Sequence, residues 1–223
     1  YLTEHGTEYF EYLKNINGRQ HVTIELCEQA QKVVEAIKTN KFLPVGLFKP
    51  LKHIEVLPQA KILFNGLKAM YDWLIVDHKA KTIQPCDLKV MSRPTRDFLF
   101  SFFQFHYYRQ AELYTILLKQ YCEQLKDFKD YTILPFMFIV ASQNETTVRQ
   151  FIFEPKYVDN TLLVLNKKVP TMYTLIDEIR WHQENKEYVY TREEVLNGGK
   201  IFLSEINNID LMDTNTFLNE ENI

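Results

Sequence analysis

From Val22 the apolar positions Val22, Leu26, Ala30, Val33, Val34 and Ile37 recur at three- and four-residue steps. That period places them on one face of a helix over residues 22–39. Pro44, Gly46 and Pro50 interrupt the pattern and predict a loop. The period then shortens towards two, and the runs 52–57, 60–65, 68–77 and 81–91 read as strands. Asn65-Gly66 is a hairpin signal between the second and third runs. The polar stretch 77–81 joins the third to the fourth, so the four make an antiparallel meander. Arg93-Pro94 ends it, and a long helix is predicted from about Asp97 to Lys126. Strands are expected at 132–141 and 147–153, around a turn at Gln143-Asn144-Glu145. Pro170 suits the first turn of a helix reaching about Lys186. A short helix at 191–197 is stopped by Gly198-Gly199. Upstream, residues 7–14 read as a short helix ended by Asn17-Gly18. The order of elements predicts an α/β (α+β) fold, a central mixed sheet with flanking helices.

The composition supports a packed core. The chain has 223 residues, 46% of them hydrophobic, which suits one domain with additions. No apolar run approaches the roughly 18 residues of a spanning helix, so no membrane association is expected. The chain opens on Tyr1-Leu2-Thr3 with no secretory signal pattern, and a start without Met is what a fragment of a longer chain would show. The cysteines Cys27, Cys86 and Cys122 are odd in number and widely spaced, which suits reduced thiols in a cytoplasm.

The net charge of −3 argues at first against a nucleic-acid partner. The distribution changes that reading. Glu205, Asp210, Asp213, Glu220 and Glu221 lie in a segment without Lys or Arg, and setting these five acids aside leaves residues 1–204 at +2. A mildly basic body over 1–204 and an acidic, flexible tail over 205–223 permit DNA binding. The tail is also where a protein partner could dock.

The chemistry concentrates in two neighbouring strand runs. Asp72 stands in the apolar run Met70-Tyr71-Asp72-Trp73-Leu74-Ile75-Val76, where a carboxylate is costly unless something pairs with it. Alternation puts Asp87 and Lys89 on one strand face and Leu88 on the other. Adjacent hairpin strands can bring Asp72 and Asp87 to one cation. Mg²⁺ takes hard oxygen ligands, often one or two carboxylates with water and phosphate filling the shell. The Leu88 carbonyl could add another oxygen. A lysine beside such an ion can orient the attacking water or stabilise developing charge. The same Asp-x-Lys triplet on an edge strand can also be a plain solvated pair. In the next helix Gln110 and Tyr114 are four apart and share a face. Both side chains can hydrogen-bond to a phosphate, a lysine or a carboxylate, and equally Tyr114 can be core and Gln110 surface.

This succession of Asp72, then Asp87-Leu88-Lys89, then Gln110-x-x-x-Tyr114 resembles the PD-(D/E)XK nuclease superfamily. It resembles in particular the RecB-type branch that includes lambda exonuclease and the RecE-like phage and prophage exonucleases. The motifs span residues 70–114, and the order of elements extends the likeness over roughly 20–155. The resemblance implies a restriction-endonuclease-like fold and Mg²⁺- or Mn²⁺-dependent hydrolysis of DNA. It implies Asp72 and Asp87 as metal ligands, Lys89 as the catalytic lysine, and Gln110 and Tyr114 as an accessory motif beside the site. It also implies an exonuclease of phage or prophage recombination in a bacterial cytoplasm, working with a single-strand annealing protein and able to form a homo-oligomer. The family places a further acid or histidine on a helix before the meander. Glu28 is favoured for it over Glu25 and Glu35, with His5 or a residue upstream of the chain as alternatives. A non-catalytic DNA-binding or assembly module on the same fold is the competing expectation.

Other chemistries lack their motifs. The histidines at 5, 21, 53, 78, 106 and 182 form no zinc-binding spacing. Three scattered cysteines do not suit a four-cysteine iron–sulfur cluster. No phosphate-binding glycine loop or G-x-S-x-G occurs. The aromatic run Phe98, Phe100, Phe102, Phe103, Phe105, Tyr107 and Tyr108 reads as a core face or as a base-stacking platform. Lys79, Lys81, Arg93, Arg96 and Arg109 are expected to flank the site as phosphate contacts.

Overall fold

The computed structural model describes residues 22–49, 51–145 and 147–200. The expected helix at 7–14, His5 and the acidic tail lie outside those residues. Helix α1 is Ile24–Thr39, and the Thr23 hydroxyl caps it by accepting the Leu26 amide. Its apolar stripe is only partly used. Val33 and Ile37 are buried, whereas Val22, Leu26 and Val34 are exposed.

The meander follows as β1 (Ile54–Phe64), β2 (Leu67–Asp77) and β3 (Thr82–Met91). The two runs expected at 52–57 and 60–65 are one strand, disturbed locally at Pro58-Gln59. Asn65 and Gly66 both have positive φ, the backbone that a two-residue hairpin turn requires. The single helix expected from 97 to 126 is broken. A 3₁₀ turn at Thr95–Asp97 leads into α2 (Phe98–Gln104), and α3 is Tyr107–Gln124. His106 takes a left-handed conformation between them, which turns the chain.

Strand β4 (Thr132–Ile133), β5 (Phe136–Ser142) and β6 (Val148–Phe153) complete the main sheet, with order β1-β2-β3-β5-β6 and β4 beside β3. The β3–β5 pairing is parallel and the β1–β2, β2–β3 and β5–β6 pairings are antiparallel. The parallel step needs a crossover, which α2 and α3 supply. Every residue of β5 is buried, as expected of a central strand covered on both faces.

A second, three-stranded sheet, which the hydrophobic pattern does not predict, consists of β7 (Lys156–Val158), β8 (Thr161–Val164) and β9 (Lys167–Pro170). Its turns are Asp159-Asn160 and Leu165-Asn166, all four residues at positive φ. Asp and Asn tolerate that backbone, and their spacing was the available signal. Pro170 therefore ends a strand instead of opening a helix. Helix α4 (Met172–Asn185) starts after the Thr171 cap, and α5 (Arg192–Leu196) carries a capping box from Thr191 and Glu194. No helix of the described residues is long and apolar enough to cross a membrane.

Two cores sandwich the main sheet. One packs α1 residues Val33 and Ile37 against Ile75, Cys86, Met137 and Ile139. The other packs α2, α3 and the small sheet against the opposite face, through Tyr71, Phe98, Phe102, Tyr108, Leu117, Phe138 and Leu162. The aromatic run is thus mainly core: Phe98, Phe102 and Tyr108 are buried, and only Phe100 and Phe105 stand exposed.

Glu112 on α3 is fully buried and fixes α4 to this core. Its carboxylate accepts the Met172 amide at 3.0 Å, at the N-terminal turn of α4, where negative charge is favoured. Burial raises its pKa above the ordinary carboxyl range, while the Met172 amide and the Tyr157 hydroxyl favour the ionised form. A carboxyl whose folded pKa is raised is penalised as pH climbs through the window between its unfolded and folded values. Glu112→Gln keeps an acceptor for Met172 and cannot ionise. Its Tm relative to wild type is expected to rise by roughly 2–4 °C, about 1 kcal/mol, between pH 5 and pH 8. Thermal melts across that range check this, and a pH-independent difference would contradict it.

Candidate functional site

Strands β2 and β3 are paired from Asp77–Thr82 as far as Trp73–Cys86, and there the pairing stops. The next register position sets Asp72 opposite Asp87. Along its other edge β3 pairs with β5, in a ladder running from Cys86–Met137 to Met91–Ser142. The two carboxylates predicted to act together therefore stand across the fork where β2 leaves the edge of β3.

Asp72 closes the mouth of this fork. Its Oδ2 accepts the Leu88 amide at 2.7 Å, and its Oδ1 accepts Gln59 Nε2 at 3.0 Å. The pairing cost expected of a carboxylate in an apolar strand is thus met by two neutral N–H donors. The Leu88 side chain packs on the α1 side of the sheet, as alternation requires.

Asp87 is 6% exposed and faces α3. Its Oδ2 lies 2.8 Å from Lys89 Nζ, and its Oδ1 accepts Gln110 Nε2 at 2.7 Å. Gln110 Oε1 in turn accepts Lys89 Nζ at 3.1 Å, which closes a triangle of three side chains. The Tyr107 ring covers the ammonium at 4.3 Å, a cation–π distance. Gln110 and Tyr107 are three apart on α3, so one helix face supplies both. Burial raises the Asp87 pKa, Lys89 and Gln110 pull it down, and the charge of Asp72 pushes it up; the net direction is upward. The last effect means that the two carboxylates feel each other's charge.

Tyr114 is placed differently. Its ring meets Tyr71 edge-on at 5.1 Å and Phe136 at 6.2 Å. Its carbonyl accepts the Tyr71 hydroxyl at 2.7 Å. Tyr114 thus seats α3 on β2 and stands outside the Asp87–Lys89–Gln110 triangle. Glu28 is exposed on α1. Among the described residues no group of three or more His, Cys, Asp or Glu side chains could hold a metal, so Glu28 is not brought to Asp72 and Asp87. Cys86 is buried on the α1 side, and burial drives its thiol pKa upward.

The basic residues divide. Arg93 and Arg96 follow β3 just beyond Lys89, and Arg96 sits 3.8 Å from Asp97. Lys81 pairs with Asp130 at 3.6 Å in the turn at the far end of the hairpin. It is six residues from Asp87, roughly 20 Å along an extended strand, so it does not flank the site and neither does Lys79. Arg109 lies over the Tyr108 ring at 5.8 Å. Sequence reasoning missed Gln59 and Tyr107. Their contacts depend on strand register and on the break before α3, which residue type alone does not reveal.

Comparison with protein-family models, curated proteins and solved structures gives no match.

Removing Lys89 would leave Asp87 buried without its counter-charge. Lys89→Met is expected to destabilise the fold by about 3–5 kcal/mol near neutral pH, the usual cost of breaking a buried pair from one side. The sign follows from Lys89, which holds the Asp87 pKa down against burial, so that its removal raises that pKa further. The loss grows as pH rises and shrinks towards the unfolded Asp range near about 4. Adding Asp87→Asn should recover part of it. Urea melts of both single variants and the double variant at two pH values measure the coupling.

Proposed function

We propose that the chain is a divalent-metal-dependent DNA nuclease of the PD-(D/E)XK type. The observation that carries this reading is the closed triangle Asp87–Lys89–Gln110, set beside Asp72 at the fork between β2 and β3. The order of helix, three antiparallel strands, helices and a strand parallel to β3 supports the same reading.

The donor set fits a hard cation. Asp72 and Asp87 are both oxygen donors, and their charges repel in a partly desolvated setting. A Mg²⁺ or Mn²⁺ ion would be held by these two, with water and phosphate completing its shell. Bound there, such an ion lowers the pKa of a water and polarises the phosphate. Lys89 is already held against Asp87, Gln110 and Tyr107, so it spends little entropy on finding its position. It can exchange one partner for a phosphate oxygen as negative charge builds there. Gln110 bonds to both members of the ion pair and keeps the lysine and carboxylate in register. The attacking water oxygen gives up a proton to solvent as it forms the new P–O bond, and the bond from phosphorus to the leaving oxygen breaks as that oxygen takes a proton from solvent. Arg93 and Arg96, just after β3, offer positive charge for the DNA backbone.

A non-catalytic DNA-binding module is the second reading. It is favoured by one observation, the absence of a third acidic or histidine ligand among the described residues.

Degradation of linear and covalently closed duplex DNA in Mg²⁺ separates the readings. Wild type is expected to degrade linear DNA, and Asp87→Ala and Lys89→Ala each to lower the rate by about 10²–10³-fold or more. If wild type cuts neither substrate, the nuclease reading fails. Equal cutting of closed circles would remove the exonuclease part.

A further inference from the structure

The residue opposite Asp72 on the other side is Gln59. The β1–β2 register runs Pro58–Trp73, then Ala60–Tyr71, so Gln59, Asp72 and Asp87 form one row across three strands. At this row β1 and β2 reverse their faces, while β3 keeps its alternation. On β1, Ile54 and Val56 pack towards α1, whereas Ala60 and Ile62 pack towards α3, although all four are even-numbered. On β2, Tyr71 packs towards α3 and Trp73 towards α1 in the same way. Regular alternation forbids both. Gln59 takes up the change with a φ of +51°, a left-handed conformation that glutamine rarely adopts. Opposite it, Asp72 is released from the usual alternation and reaches the Leu88 amide.

We infer that Gln59 is a positioning residue for the metal site, holding the Asp72 carboxylate in the orientation that serves a divalent cation. This rests on the nuclease reading above. The Leu88 bond alone fixes one oxygen and leaves the carboxylate free to swing. The Gln59 amide on Oδ1 fixes the second oxygen and hence the plane. A carboxylate has about four acceptor positions, so capacity remains on both oxygens for an ion. Gln59 is exposed and its side chain fills no core, so support of Asp72 is the role its contact assigns. Residues that orient a metal-ligating carboxylate typically change metal affinity when removed.

Gln59→Gly separates this role from a structural one. Glycine adopts positive φ without strain, so the backbone device survives while the amide is lost. Calorimetric titration with Mn²⁺ alone, on wild type and Gln59→Gly, is paired with melts of both proteins without metal. The expected result is Mn²⁺ binding by wild type, an affinity lower by about 10- to 100-fold in the variant, and a metal-free Tm within about 5 °C of wild type, since the lost Gln59 bond and the relieved positive φ act in opposite directions. Equal Mn²⁺ affinities would overturn the role of Gln59 and leave the metal site standing. Weaker binding accompanied by a metal-free Tm lower by more than about 5 °C would also overturn it, since the loss would then exceed one hydrogen bond and the residue would be structural. No Mn²⁺ binding by wild type would overturn both this inference and the reading it rests on.

Discussion

The amide of Leu88 points towards β2 at the place where β2 has already left the ladder, and the Asp72 carboxylate accepts it at 2.7 Å. An edge opened inside a sheet would otherwise leave polar backbone groups without partners, at a cost comparable to a lost hydrogen bond. Asp72 closes the fork with a side chain instead of a carbonyl, and so a charged group stands where a paired strand would have been neutral. The rest of the site depends on this substitution. It sets Asp72 opposite Asp87, and it requires the reversal of faces at Gln59 that lets Asp72 turn into the gap. Along its other edge β3 pairs with β5 in parallel, through the crossover that carries α3 over Asp87.

The second constraint is electrostatic. Asp87 is buried beneath α3, and only a few groups can make that tolerable. Lys89 supplies the charge, Gln110 bonds to both, and Tyr107 covers the ammonium. A buried ion pair is weak evidence for stability, because desolvation offsets most of its attraction. An apolar pair could occupy the same volume with less penalty. A pair kept in such surroundings, with a second carboxylate across an open fork, therefore points to function more than to folding.

Much of this was legible in the sequence. The period-two runs and Asn65-Gly66 disclosed the meander, and alternation along 86–89 placed Asp87 and Lys89 together and apart from Leu88. The four-residue spacing put Gln110 and Tyr114 on neighbouring turns, but could not say how far the face of α3 over Asp87 extends. It reaches Gln110 and Tyr107, and Tyr114 turns to Tyr71. The break at His106 was hidden because nothing in Phe105-His106-Tyr107 resembles a helix stop. The second sheet was hidden because its strands are three and four residues long, too short for a period to emerge. Lys79 and Lys81 adjoin the start of β3, and distance in sequence alone does not separate that end of the strand from the end that carries Lys89.

The claim on which everything turns is that Asp72 and Asp87 share one divalent ion. Crystals grown with Mn²⁺ and measured near the manganese absorption edge address it directly. The account predicts one anomalous peak in the fork between β2 and β3, within coordinating distance of carboxylate oxygens from both residues. Mn²⁺ bound elsewhere, with Asp72 still bonded only to Leu88 and Gln59 and Asp87 only to Lys89 and Gln110, would contradict it.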